Sequence, residues 1–154
     1  MLDLDDYLPY LLNRAGSRIA RAFTRELRAQ GITLPIWRVL AALQHRDRQT
    51  VSQLAESTAI DISTLSRILD LMEDRGLAVR ARGVAGDARS IELRLTPAGR
   101  ALARRITPVA LDYERTALAG LSPAEERQLK RLLGRVHANM AGLTRRRERT
   151  ALDV

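Results

Sequence analysis

The chain contains no cysteine among its 154 residues, which excludes disulfide bonds, thiolate metal sites and thiol redox sensing within it. Its two histidines, His45 and His137, are too far apart for the spacing of helical metal ligands. The sequence also lacks a glycine-rich phosphate loop, a nucleophile elbow and paired carboxylates in a matching frame. We therefore expect neither a metal nor another cofactor, and we do not expect an enzyme.

Long apolar runs are absent as well, and none approaches the roughly 18 residues that a membrane span requires. Residues 1–6 are acidic, where a secretory signal would be basic. The lack of cysteine fits the reducing cytoplasm. These features predict a cytoplasmic protein that does not bind membranes.

Lysine is scarce, because Lys130 is the single lysine and arginine supplies the rest of the 26 basic residues. With 18 acidic residues the formal net charge is +8. Arginine forms paired hydrogen bonds with phosphate and guanine more readily than lysine does, so this charge favours a polyanionic partner. A solvated basic surface, or an arginine-rich genome, would give the same composition.

Two long amphipathic helices are predicted at the ends of the chain, because apolar residues recur there at steps of three and four. The first spans residues 4–30, and Pro9 is expected to kink or restart it and to leave the residues before it as an N-terminal arm. The last follows Ser122, where proline and Glu125 complete a helix-start pattern, and residues 145–149 form a frayed basic tail. Neither apolar face is wide enough to enclose a core alone, which predicts a shared dimer interface.

The residues between these helices predict a compact lobe that contains a helix-turn-helix. Thr33 is expected to cap the second helix. Thr50 and Gln53 form a capping box for the third helix, in which each side chain bonds the other residue's backbone N–H. Asp61 starts the fourth helix, and its carboxylate is expected to cap it.

A β-hairpin is predicted between residues 77 and 95. Side chains of residues 91–95 alternate between apolar and polar, as in a strand with one buried face, and residues 77–80 supply the partner strand. The glycine-rich turn between them is expected to hold Arg89 in solvent, where it would suit a narrow, electronegative DNA groove. The helix after the hairpin is expected to bend or break near Pro108.

The hairpin carries the pattern Asp-x-Arg followed by Leu-Thr-x-x-Gly, present as Asp87, Arg89, Leu95, Thr96 and Gly99. The preceding helices contribute Leu54, Ala55 and the segments 63–67 and 73–77. With these residues, the chain resembles the multiple-antibiotic-resistance regulator (MarR) family of bacterial transcription factors. The resemblance extends over nearly the whole chain in the order of its elements.

The resemblance implies a homodimer with interlocked terminal helices, a fourth helix that enters the major groove of DNA, and a hairpin, or wing, that enters the flanking minor groove. The implied contacts of the recognition helix fall on Ser63, Thr64, Ser66 and Arg67. Arg89 would enter the minor groove, and Asp87 would brace the wing. Arg80 and Arg82 are predicted to bind phosphate or to pair with Asp87. The polar residues of the fourth helix would also suit an ordinary solvated face.

Regulators of this type commonly respond to a small aromatic or anionic molecule. Trp37 is expected near three residues of the first helix, Tyr10, Arg14 and Arg18. Aromatic rings beside an arginine can bind an aromatic carboxylate by stacking and a charge-assisted hydrogen bond. The alternative is that Trp37 belongs to the core and the arginines lie on the surface.

The expected fold is mainly α with a small β-hairpin: a winged helix-turn-helix core flanked by N- and C-terminal dimerisation helices. We assign residues 1–32 to the N-terminal dimerisation helix, 33–96 to the DNA-binding lobe and 97–154 to the C-terminal dimerisation helices and basic tail. The predicted function is a homodimeric repressor that binds a pseudo-palindromic operator and is released by a small ligand. The alternatives are a sequence-tolerant architectural DNA-binding protein without effector and a winged-helix protein-interaction module.

Overall fold

The computed structural model describes the backbone of residues 1–82 and 91–152, with side chains described through residue 142. The chain divides into two compact units, Met1–Glu114 and Arg115–Val154. The architecture is mainly α with one small antiparallel sheet, as predicted. In chain order the elements are α1 (Leu8–Ala29), α2 (Leu34–His45), β1 (Gln49–Thr50), α3 (Val51–Thr58), α4 (Ile62–Asp74), β2 (Ala78–Arg82), β3 (Ile91–Leu95), α5 (Pro97–Ala117) and α6 (Pro123–Leu152).

The core of the first unit lies where α2, α3, α4 and the sheet meet. Its fully buried side chains include Leu40 of α2, Leu54 of α3, Leu65 and Leu69 of α4, and Leu93 of β3. Each buried leucine of this kind contributes about 1.5–3 kcal/mol relative to an exposed one. This packing fixes the rotation of α4, and therefore decides which of its side chains face solvent.

The capping box predicted at Thr50 and the helix start predicted at Ser122 are both present. The Gln53 backbone N–H donates to the Thr50 hydroxyl (3.3 Å), and the Thr50 N–H donates to the Gln53 side-chain oxygen (3.0 Å). At the start of α6, Glu125 and Ser122 make the equivalent pair of bonds, at 3.3 and 2.7 Å. Thr33 also precedes its helix as expected, but its side chain makes no cap hydrogen bond.

Helix α1 begins at Leu8 with Pro9 in its first turn, where a missing N–H costs no intrahelical bond, so the helix starts at the proline as one of the two predicted outcomes. Two other predicted helix features are wrong. Helix α5 is not broken at Pro108, because it runs from Pro97 to Ala117, and a bend there stays a prediction. The basic tail at residues 145–149 continues α6 rather than fraying.

The sheet has three strands in the order β1-β3-β2, one more than the predicted hairpin. The additional strand is two residues long, and Gln49 pairs with Leu93. Gln49 is buried, and its side-chain amide donates to the carbonyl oxygens of Ala42 (2.8 Å) and Arg46 (2.7 Å). The Arg46 carbonyl lies at the end of α2, where a helix leaves its last carbonyls unpaired, and the Ala42 carbonyl also accepts from the Arg46 N–H (3.0 Å).

The second unit consists largely of α6. Between residues 115 and 142 no side chain is fully buried. The exposed apolar side chains of this unit include Leu129, Leu132, Leu133 and Met140. No helix in the described part of the chain is both long and apolar enough to span a membrane.

Candidate nucleic-acid interface

Helix α4 presents a polar face to solvent. Leu65, Leu69 and Met72 are buried on its other side, which turns Ser63, Thr64 and Arg67 outward and leaves Ser66 half-buried. Within the described residues, no hydrogen bond or ion pair holds the side chain of Ser63, Thr64 or Arg67. The four predicted recognition residues therefore lie together, and three of them are available to a partner.

The start of α4 adds backbone donors to this face. Asp61 occupies the cap position, but its exposed carboxylate makes no cap hydrogen bond, contrary to the expectation from sequence. Ser63 and Thr64 lie in the first turn, where backbone N–H groups and the helix dipole favour a negatively charged group. This end of α4 is consequently suited to a phosphate.

The turn between α3 and α4 sets the angle between these helices. Ala59 adopts a left-handed conformation (φ 52°, ψ 44°) and ends α3, while the next residue, Ile60, is buried. The turn is therefore anchored in the core, although a left-handed alanine is strained. The arrangement matches the predicted helix-turn-helix.

The wing strands lead away from this lobe as an antiparallel pair. Ala78 pairs with Leu95 near α5, and Arg82 pairs with Ile91 at the far end. Asp87 and Arg89, predicted as the brace and the minor-groove contact, lie outside the described residues. Their roles stay predictions.

Arg80 has different partners from the predicted Asp87. Its guanidinium forms ion pairs with Asp70 (2.8 Å) and Glu73 of α4, and its backbone N–H donates to Glu73 Oε1 (2.8 Å). Two carboxylates therefore oppose one guanidinium, so the charge of Arg80 is neutralised by the helix rather than offered to phosphate. The contact ties β2 directly to α4.

The residues predicted to bind an effector fall into two groups. Tyr10 and Arg14 lie together, with the guanidinium carbon 5.5 Å from the ring centroid, and Arg14 also pairs with Asp5 (3.1 Å). Trp37 instead packs edge-on against Phe23, with ring centroids 5.8 Å apart. Arg14 and Phe23 are separated by about 13.5 Å along α1, so the structure does not place Arg14 beside Trp37. Arg18 lies between them and is exposed.

Tyr113 of α5 completes the aromatic group around Phe23, and sequence reasoning missed it. Its ring centroid lies 5.4 Å from that of Phe23, and its hydroxyl donates to Glu26 Oε1 (3.3 Å). Desolvation and the charge of Glu26 raise the pKa of the Tyr113 phenol above its ordinary value. Because these rings come from three distant helices, no local pattern could have shown that they meet.

A helix-turn-helix followed by a two-stranded wing, with a third short strand at its edge, defines a winged helix-turn-helix protein. A profile of the MarR family matches residues 30–90. The transcriptional repressor Rv2887 of Mycobacterium tuberculosis is 31% identical over 129 residues, which cover 84% of this chain and 92% of that protein. The chain belongs to the MarR family, and the relatives it matches are transcriptional regulators.

Solved structures show the same fold. A MarR family regulator from Silicibacter pomeroyi has a TM-score of 0.80 and 33% identity, covering 89% of this chain and 92% of its own. BpsR of Bordetella bronchiseptica, whose DNA binding is regulated by 6-hydroxynicotinic acid, has a TM-score of 0.76 and 27% identity. The match covers 88% of this chain and 96% of BpsR. Rv2887, solved in complex with p-aminosalicylic acid, has a TM-score of 0.68 and 30% identity. The match covers 84% of this chain and 98% of Rv2887.

Proposed function

We propose that this protein is a homodimeric transcriptional repressor that binds a pseudo-palindromic operator and releases it on binding a small aromatic acid. The observation that carries the proposal is the polar face of α4, where Ser63, Thr64 and Arg67 are exposed and unpaired in the described part of the chain. Hydroxyls bond phosphates or base edges, and arginine can form two bonds with guanine O6 and N7. The family membership supports DNA as the partner of this face.

The proposed dimer rests on apolar side chains that one chain leaves exposed. On α1 they are Leu8, Leu11, Leu12 and Ile19, and on α6 they are Leu129, Leu132, Leu133 and Met140. Apolar patches of this kind on soluble proteins usually mark an interface. Two copies would then present two α4 helices at a fixed separation, which suits half-sites about one helical turn apart.

The proposed effector is an aromatic acid that binds beside Trp37. BpsR and Rv2887 are each described with a small aromatic acid, which supports this chemistry. Trp37 is half-buried, and the group that it forms with Phe23 and Tyr113 offers a surface for stacking. Arg18 is the nearer of the two predicted arginines, about 7.5 Å from Phe23 along α1, and would pair with the carboxylate. The ligand would favour a dimer whose α4 helices are wrongly spaced for DNA.

The test is binding of labelled duplexes over a range of salt concentrations, with the region upstream of the gene compared with a scrambled duplex. Arg67→Ala is expected to weaken operator binding roughly 5- to 150-fold and to reduce sequence preference. Arg89→Ala should weaken binding to both duplexes. It should also reduce, by about one, the number of ions released on binding, which is read from the slope of log affinity against log salt concentration. Arg131→Ala, an exposed arginine of α6, serves as the matched control.

Three results would count against the proposal. Equal affinity of the wild-type protein for both duplexes would favour an architectural DNA-binding protein. No binding to either duplex would favour a protein-interaction module. Unchanged affinity in Arg67→Ala would remove α4 from the interface.

A further inference from the structure

A depression beside strands β2 and β3 is lined by three arginines from separate segments. Arg48 precedes β1, Arg82 ends β2 and Arg94 belongs to β3, and Ala81 and Glu92 line the same depression. Ala81 and Glu92 are register partners across β2 and β3, so their side chains lie on one face of the sheet. The sheet therefore forms the floor of this arginine cluster.

The arginine cluster carries an excess of positive charge. Three guanidinium groups surround one carboxylate, and within the described residues no ion pair or hydrogen bond holds the side chain of any of the three. Arg80 of the same strand provides the contrast, because its guanidinium is neutralised by two carboxylates. The same hairpin thus carries both paired and unpaired positive charge.

The backbone at Arg48 supports a role for this cluster. Arg48 has a φ of 56°, a left-handed conformation that costs a non-glycine residue roughly 1–2 kcal/mol. Glycine or asparagine would adopt it with less strain. Strained residues of this kind occur mainly where a side chain has a functional use. Here the strained residue delivers one of the three guanidinium groups.

We propose that Arg48, Arg82 and Arg94 together bind a phosphodiester of the DNA backbone beside the groove that the wing enters. The inference rests on the proposed function. Arginine pairs with phosphate through two parallel hydrogen bonds, so the cluster has the right chemistry for this group. A free phosphate has the same chemistry, but all three arginines are solvent-exposed. Solvent-exposed arginines suit a continuous polyanion better than a small ligand that must be enclosed.

The contact would contribute affinity without sequence preference, because phosphates carry no direct information about the bases. Removing the charge of Glu92 should change DNA affinity in the opposite direction from removing an arginine. Its carboxylate lies among the arginines and would repel a phosphate, so Glu92→Gln should tighten DNA binding. A merely structural role for the cluster would not predict tighter binding.

The experiment measures binding of the full-length protein to operator and scrambled duplexes as salt is varied. The variants are Arg48→Asn, which suits the left-handed backbone, Arg94→Gln, Glu92→Gln and the control Arg131→Gln. Arg48→Asn and Arg94→Gln should each weaken binding to both duplexes by a similar factor. Each should also reduce, by about one, the number of ions released on binding. Glu92→Gln should strengthen binding to both duplexes. No variant should unfold at a lower temperature than the wild-type protein, and Arg48→Asn should unfold at an equal or higher one, because asparagine fits the left-handed backbone.

The outcomes separate this inference from the proposed function. If Arg67→Ala weakens binding while Arg48→Asn and Arg94→Gln behave like Arg131→Gln, the phosphate site is wrong and DNA binding by α4 stands. If the wild-type protein binds neither duplex, both proposals fail. Inorganic phosphate, titrated at constant ionic strength and followed by NMR, tests the free-anion alternative. Phosphate binding abolished by Arg94→Gln, with unchanged DNA affinity, would assign the cluster to a free anion and overturn the DNA assignment.

Discussion

Gly99 lies so close to Leu77 that a Cβ atom on it would be 2.0 Å from the Leu77 carbonyl oxygen. Three hydrogen bonds hold this approach in place. The Thr96 N–H donates to the Leu77 carbonyl (3.1 Å), and the Thr96 hydroxyl donates to the Gly76 carbonyl (2.6 Å). The Gly99 N–H in turn donates to the Thr96 hydroxyl (3.0 Å). The Leu-Thr-x-x-Gly pattern is thus the joint between the start of the wing and the start of α5.

Gly99→Ala should therefore destabilise the protein by about 1–3 kcal/mol, because the methyl group meets backbone that cannot rotate away. Urea unfolding measures the change. Gly134→Ala is the matched control, since this glycine is also helical but has nothing within 4 Å of an added Cβ. The control should be stabilised by up to about 1 kcal/mol, because alanine is the better helix former. Equal effects of the two substitutions would contradict the close approach.

Arg80→Gln should weaken DNA binding without a direct contact between Arg80 and DNA. The substitution leaves Asp70 and Glu73 as uncompensated negative charges beside the recognition face. Adding Glu73→Gln should restore part of the lost affinity. The free energy of unfolding should change by less than about 1 kcal/mol in the single variant, since both ion pairs of Arg80 are partly exposed to solvent. A double variant that binds as weakly as Arg80→Gln would instead make Arg80 a phosphate ligand.

Features set by neighbouring residues were predictable from the sequence. The capping boxes at Thr50 and Ser122 depend on residues three positions apart, and the alternation at residues 91–95 gives β3 directly. The exposed side of α4 followed from its apolar spacing. Local chemistry therefore determines most of the secondary structure and one side of the candidate interface.

Features that depend on distant residues were missed. Strand β1 has two residues, too few to show a period, and it exists because Gln49 and Thr50 pair with β3. The partners of Arg80 lie one element earlier, so the nearby Asp87 was the more obvious candidate. Phe23, Trp37 and Tyr113 meet only after three helices have packed.

The stability of the first turn of α6 should depend on the ionisation of the Glu125 carboxyl. Hydrogen bonds from the Ser122 backbone and hydroxyl lower the pKa of the Glu125 carboxyl below its ordinary value of 4.5. The pKa of Glu125 is lower in the folded protein than in the unfolded chain. The ionised carboxyl therefore stabilises the folded protein fully above the unfolded-chain pKa, and this stabilisation is lost as pH falls through the folded-state pKa. Carbon-13 NMR of the carboxyl measures this directly. Ser122→Ala should move the pKa of Glu125 back toward 4.5, and an unchanged pKa in that variant would contradict the capping geometry.

Trp37 should report effector binding, because it is the single tryptophan and lies in the aromatic group. Titration with p-aminosalicylic acid is expected to change its fluorescence. Arg18→Gln should weaken this binding, whereas Arg14→Gln should leave it near the wild-type level, since Arg14 already contacts Asp5 and Tyr10. A larger loss in Arg14→Gln than in Arg18→Gln would move the site to the start of α1.

The apolar stripe of α6 should hold two copies together. Leu133 belongs to this exposed stripe, and Ala138 lies on the opposite side of the same helix. Leu133→Glu should reduce the mass in solution from twice to once the 17.2 kDa of a single chain, because a buried, unpaired carboxylate is costly. Ala138→Glu adds the same charge and should leave the dimer intact. Loss of the dimer should also abolish tight operator binding, since one α4 helix then reads only one half-site. A Leu133→Glu protein that stays dimeric would exclude this stripe from the interface.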